Sequence, residues 1–122
     1  MGGAGDEAQV AELFAAYEAA LVSNDVDAMN AVFATDDVVR FGIAEVQWTY
    51  AEVESWRATA APVDPRREIT AQVVRALAPG VVAVDITFRN GTDPVLGRQS
   101  QTWVRHPDGW RIARAHVSMI AG

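Results

Sequence analysis

The second half of the chain is punctuated at short intervals, and this limits the folds open to it. Ala78-Pro79-Gly80, Asn90-Gly91-Thr92-Asp93-Pro94 and His106-Pro107-Asp108-Gly109 are clusters of turn-forming residues. Between them lie extended runs at about residues 66–77, 81–89, 95–106 and 110–120. Turns this close together join neighbouring strands into antiparallel hairpins.

The first half has a different period. Val10, Leu13, Phe14, Tyr17, Leu21 and Val22 recur at helical spacing, so a helix is expected over about 7–23 with Asp6 as its N-cap. Asn24-Asp25 interrupts it, and Asp25 caps a second helix carrying Ala28, Met29, Val32 and Phe33. Val38 to Ile43 reads as a strand and Glu45 to Trp48 as a second short extended piece. Thr49-Tyr50-Ala51-Glu52 has capping-box form and opens a third helix ending near Ala60. A stiff loop, Ala61-Pro62-Val63-Asp64-Pro65, precedes the meander.

Helices first and long strands second is an α+β pattern. The expected architecture is three N-terminal helices packed on a curved, mainly antiparallel sheet. The first helix must cover the concave face and leave a hollow at one end. Such hollows are the default sites for small ligands. At 122 residues and 50% apolar content the chain fits one domain, expected over 7–122, with residues 1–6 a flexible Gly-rich tail.

Composition closes several chemistries. There is no cysteine, so disulfides and thiolate nucleophiles are excluded. There is no lysine either, which excludes a Schiff-base mechanism. All ten basic residues are arginines, whose planar forks suit carboxylates and phosphates. The net charge of −6 is uneven: residues 1–60 hold eleven acids and two arginines, and the remainder five acids and eight arginines. The acidic first half argues against a nucleic-acid partner. No apolar run approaches the roughly 20 residues of a membrane span. No signal peptide is visible, so a cytoplasmic location is expected. With two histidines and no clustered His-carboxylate spacing, no metal site is expected. No Gly-rich phosphate loop occurs, and no cofactor is expected.

Several residues stand out as carriers of chemistry. Tyr17 shares a helix face with Phe14 and Leu21, and a buried tyrosine hydroxyl needs a polar partner. Arg40 lies inside an apolar strand, where an arginine requires pairing, to Glu18 or Glu45 or to a substrate carboxylate. Arg57 follows Trp56 on the third helix and is a candidate second anion contact. His116 is the one histidine within a strand and the candidate proton shuttle.

Hairpin geometry sets the expected neighbours of His116. The His106–Gly109 turn places Arg105 opposite Trp110, and stepping back puts Gln101 opposite Arg114 and Gln99 opposite His116. Ser100 then falls on the other face from His116, while Ser118 shares a face with it. Which face lines the pocket stays open, because an error of one residue reverses every assignment. No Ser–His–acid triad is supported, since no nucleophile elbow surrounds either serine.

Tyr17-Glu18-Ala19-Ala20-Leu21, Asn24-Asp25 and Val39-Arg40-Phe41-Gly42 form one set of motifs. Gly97-Arg98-Gln99-Ser100-Gln101-Thr102-Trp103-Val104-Arg105, Gly109-Trp110-Arg111-Ile112 and Ala115-His116-Val117-Ser118 form another. Together they resemble the AtzH-like family of the nuclear transport factor two-like superfamily, also called SnoaL-like or cystatin-like. The resemblance spans about residues 8–120. It implies a cone-shaped α+β barrel, a homodimer through the sheet and a small-molecule substrate related to urea-like carboxylates. It also implies a second arginine three residues after Arg57, where this chain has Ala60, and Trp48 and Trp56 stand at the expected pocket mouth. The position of the steroid-isomerase base holds Phe41 or Arg40, which removes that reaction.

The expectation is therefore a hydrolase of amidase or deamidase type acting on a compact ureido- or amido-carboxylate. Tyr17, Arg40 and His116 would be catalytic, and Arg57, Trp48, Trp56, Ser100 and Ser118 would contact substrate. The alternatives are a non-catalytic ligand-binding or dimerisation module, or a divergent pocket for a more apolar, aromatic ligand.

Overall fold

Alternation along the long strands decides which side of the sheet becomes the core. In the computed structural model, which describes residues 2–120, Val82, Val84, Ile86 and Phe88 point to one face and are buried, while Asp85 between them is exposed. These residues belong to β4 (Val81–Asn90), which lies between β3 (Arg67–Ala78) and β5 (Leu96–His106). The strand β6 (Gly109–Ile120) follows β5, and two short strands, β1 (Val39–Phe41) and β2 (Val46–Gln47), complete a six-stranded sheet of order β2-β1-β6-β5-β4-β3. Every pair is antiparallel except β1 with β6. The fold is α+β.

The inner face is covered by α1 (Gly2–Ser23), whose Val10, Phe14, Tyr17 and Leu21 recur every three or four residues and are all buried. Polar side chains fix its placement. Asp6 accepts from the backbone N–H of Gly80 at 2.9 Å and pairs with Arg105, and Glu7 accepts from Ala76 N–H at 2.8 Å. Asp6 is thus not the N-cap expected of it. The helix starts earlier, so Gly2 to Asp6, expected as a tail, lies in α1, and the Asp6 carboxylate tethers the helix to the β3–β4 turn. Met1 lies outside the described residues.

Asn24 ends α1 in the left-handed conformation, with φ of 55°, and Asp25 N–H closes onto Ala20 C=O at 2.9 Å. Asp25 then caps α2 (Val26–Ala31), accepting from Ala28 N–H at 3.2 Å. Thr49 caps α3 (Tyr50–Thr59) in the same way through Glu52 N–H, while the Glu52 carboxylate reaches back to Trp48 N–H. No described helix is long and apolar enough to cross a membrane.

The β5–β6 register departs from expectation. Arg105 does face Trp110, but Trp103 pairs with Ile112 and Thr102 with Arg114, so Ala113 is an extra, bulged residue. The bulge lets Ile112 and Ala115, three apart, both turn inward and be buried. Beyond it every partner moves by one. Gln101 faces Ala115 instead of Arg114, Gln99 faces Val117 instead of His116, and Ser100 and His116 become direct neighbours on the outer face.

Candidate active site

Register carries Arg40 inward. It lies between Gln47 on β2 and Ala115 on β6, and Ala115 is opposite Gln101, so all four occupy one row of the inner face. The row opens on a cavity of about 360 Å³ between the inner face of the sheet, α1, α3 and the loop at 61–65. Tyr17, Phe33, Trp56, Phe88, Val117 and Met119 supply much of its wall.

Three arginines line this cavity, in three different states. Arg67, at the start of β3, is closed off. It donates from Nε and Nη2 to the two carboxylate oxygens of Glu18 at 2.8 and 3.1 Å, and from Nη2 to Gln99 Oε1 at 3.2 Å. Its guanidinium also lies 3.8 Å from the centre of the Phe88 ring. That ring needs Gly97 opposite it, because a Cβ there would fall 2.2 Å from its edge.

Arg40 is half spent. Its Nη1 donates to Glu45 Oε1 and to Gln47 Oε1, each at 2.9 Å, and its Cζ sits 3.9 Å over the Trp56 ring. Burial lowers its pKa, while the bond to Glu45 opposes the shift. Gly42 makes the pair possible, since a Cβ there would stand 1.7 Å from Glu45 Oε1.

Arg57 is unpaired. Val53 and Arg57 are four apart on α3, so both face inward, and Arg57 is 7% exposed. Its Nη2 donates to the Tyr17 hydroxyl at 3.2 Å, and its Nε is buried with no partner. Among the described residues no carboxylate neutralises it. Since Tyr17 accepts from Arg57, its own proton is free to be donated elsewhere. The remaining acid of the lining, Asp64, is held at about 2 by hydrogen bonds from the Arg66 side chain and backbone.

The cavity therefore gathers Tyr17, Arg40, Trp56 and Arg57, and leaves out four other expected site residues. His116 is exposed on the outer face, edge-on to Phe41 at 5.7 Å between ring centres, and cannot serve this cavity as a base. Ser100 donates to Asp85 at 2.6 Å on that same face, and Ser118 accepts from Arg98 Nε there. Trp48 is 62% exposed and packs edge-on against Phe41. The bulge at Ala113 is the physical reason for the outward placement of His116 and Ser118, while Ser100 faces outward by the alternation of β5.

Sequence reasoning missed Glu18, Arg67 and Gln99 as one network, and Gln101, which accepts from Trp103 Nε1 at 3.0 Å. The signal was the alternation Gly97, Gln99, Gln101, Trp103, all of which face inward. Of the two partners expected for Arg40, Glu45 takes the role and Glu18 serves Arg67.

Known proteins match this arrangement at two levels. The AtzH-like family model matches residues 6–122. A cystatin-like fold protein from Burkholderia xenovorans is 45% identical, with a TM-score of 0.90 over 95% of this chain and 92% of that one. A protein of unknown function from Pectobacterium atrosepticum is 32% identical, with a TM-score of 0.88 over 93% and 90%. A more distant NTF2-like protein of unknown function from Pseudomonas putida, 17% identical with a TM-score of 0.80 over 94% and 87%, shares the fold. No curated protein matches the sequence. With its family model matched over almost the whole length and two solved structures above 30% identity, the chain belongs to the AtzH-like family and has a cystatin-like fold.

Proposed function

We propose that the cavity binds a small carboxylate and hydrolyses a C–N bond in it, as an amidase or deamidase of ureido- or amido-carboxylates. The observation that carries this reading is Arg57, a buried guanidinium whose neighbours, the Tyr17 hydroxyl and the Trp56 ring, are neutral. A buried charge without a counter-charge is costly, and an anionic ligand relieves that cost. Arg57 takes the carboxylate. Arg40, with Nη1 spent on Glu45 and Gln47, offers the rest of its fork to the carbonyl oxygen and stabilises the charge that develops there. Tyr17 donates its proton to the leaving nitrogen. Glu45 orients the attacking water and takes its proton, a role left open by the position of His116 on the other side of the sheet.

Incubation with a panel of ureido- and amido-carboxylates, followed by ammonia release, tests this. Turnover is expected in the native chain, with Tyr17→Phe lowering kcat and Arg57→Met raising KM. A panel that stabilises the native chain but is never hydrolysed would leave the second reading, a binding module. One observation favours that reading: both Glu45 oxygens are already engaged, one by Arg40 and one by Ala44 N–H.

The homodimer belongs to the same proposal. Val46, Trp48 and Val73 are exposed apolar residues on the outer face, where a second sheet would cover them. Light scattering on the purified chain reads this directly, and a monomer at micromolar concentration would refute it.

A further inference from the structure

We infer that this cavity selects a ligand with one anionic group and an apolar body, and discriminates against dianions. The inference rests on the carboxylate-binding reading above and narrows it.

The charges lining the cavity are Arg40, Glu45, Arg57, Asp64 and Arg67. Arg67 is neutralised by Glu18 through two hydrogen bonds, Arg40 by Glu45 through one, and Asp64 by Arg66 outside the lining. One positive charge is left over, on Arg57, and it is more than nine-tenths buried. A single carboxylate balances the site. A second would find each remaining guanidinium already facing a carboxylate, so it would lose its hydration without gaining a counter-charge. It would also be repelled by Glu45 on the cavity wall.

The rest of the wall favours an apolar body. Phe33, Trp56, Phe88, Val117 and Met119 face the space together with the rim residues Pro62 and Val63. A cavity of about 360 Å³ holds an aryl or branched acyl group beside the carboxylate. Selectivity here comes from an absent partner, since the site repels the wrong ligand by leaving its second charge unpaired.

Isothermal titration of the full chain with phenylacetate, phenylacetamide, phenylmalonate and malonate tests the inference. These probes vary charge at constant aryl body, and then remove the body. Phenylacetate is expected to bind about tenfold or more tightly than phenylmalonate and phenylacetamide, and malonate to bind worst. Glu45→Gln releases Arg40 and is expected to narrow the gap between phenylacetate and phenylmalonate by roughly fivefold. Gly42→Ala, which displaces the Glu45 carboxylate, is expected to act in the same direction and provides a second variant should the first fold poorly. Phenylmalonate or malonate binding as tightly as phenylacetate to the native chain overturns the inference but leaves the anion site standing, provided Arg57→Met abolishes the binding. A gap unchanged in both variants also overturns it. Failure of every anion to bind, or binding indifferent to Arg57→Met, overturns the carboxylate reading as well.

Discussion

Arg67 and Arg57 line one cavity, and both are buried, yet they stand in opposite electrostatic conditions. Arg67 has Glu18 across two hydrogen bonds, Gln99 on its flank and the Phe88 ring beneath it. Arg57 has a tyrosine hydroxyl and the Trp56 ring, 4.7 Å from its Cζ, but no carboxylate. Burial alone therefore does not mark the site. The closed pair specifies how α1 meets β3 and β5, while the open charge has neutral neighbours and no counter-charge among the described residues. A buried ion pair is weak evidence of net stability, but removing one member leaves a buried charge and is strongly unfavourable. An unpaired buried charge already carries that cost in the native chain, and a ligand of opposite sign would recover it.

Deleting the counter-charge at the closed end should give the largest effect. Glu18→Ala leaves Arg67 buried and unmatched, and is expected to lower the unfolding free energy by about 3–5 kcal/mol in urea titrations. Arg57→Met should do the reverse, leaving stability unchanged or raised, because an apolar side chain of similar volume replaces an uncompensated charge. If Arg57→Met proved as damaging as Glu18→Ala, the distinction between the two ends would collapse.

The two glycines beside these arginines give a finer contrast. A Cβ at Gly97 meets the Phe88 ring, which is pinned between the strand and Arg67, and Gly97→Ala is expected to cost about 1–3 kcal/mol by overpacking. A Cβ at Gly42 meets the end of the Glu45 side chain, which can swing away toward solvent, and touches Arg40 Nη1 at the end of its long side chain. Gly42→Ala should thus cost less than about 1 kcal/mol, and its readout is the charge released on Arg40. Equal thermal shifts for the two variants would mean that Glu45 is held far more tightly than its partial exposure implies.

These contrasts mark where the sequence was legible. The three turn clusters and the spacing of Val10, Phe14, Tyr17 and Leu21 are local signals, and the elements they imply match the fold to within one or two residues, apart from the start of α1 and the shorter α2. Tyr17, Arg40, Trp56 and Arg57 converge because each lies on an element whose inward face has a clear period. The expected register, and with it the face assigned to His116 and Ser118, departed from the structure at one residue. Ala113 carries no bulge signature, being neither glycine nor a turn former, and the shift follows only from the need to bury both Ile112 and Ala115. Asp6 misled for a related reason. An aspartate before an apolar-periodic run reads as a cap, and its bond to Gly80, 74 residues on, is invisible locally.

The smallest expected effect sets an exposed ion pair against the buried ones. Asp64 sits on the rim loop with Arg66, whose side chain is 64% exposed, and exposed pairs contribute little to stability. The Arg66 hydrogen bonds favour the ionised carboxyl and lower its pKa from the ordinary 3.8 to about 2. The folded state thus holds this proton less tightly than the unfolded chain does. Its contribution is present above the unfolded value and is lost as pH falls through the folded one. Between about pH 4 and pH 2 the melting temperature of the native chain should therefore fall slightly more steeply than that of Asp64→Asn, with the two curves parallel from pH 5 to 7. Scanning calorimetry across that range reads the slope. Curves parallel down to pH 2 would mean that the Asp64–Arg66 pair adds nothing to stability, and that the Pro-flanked segment is held beside Arg57 by packing alone.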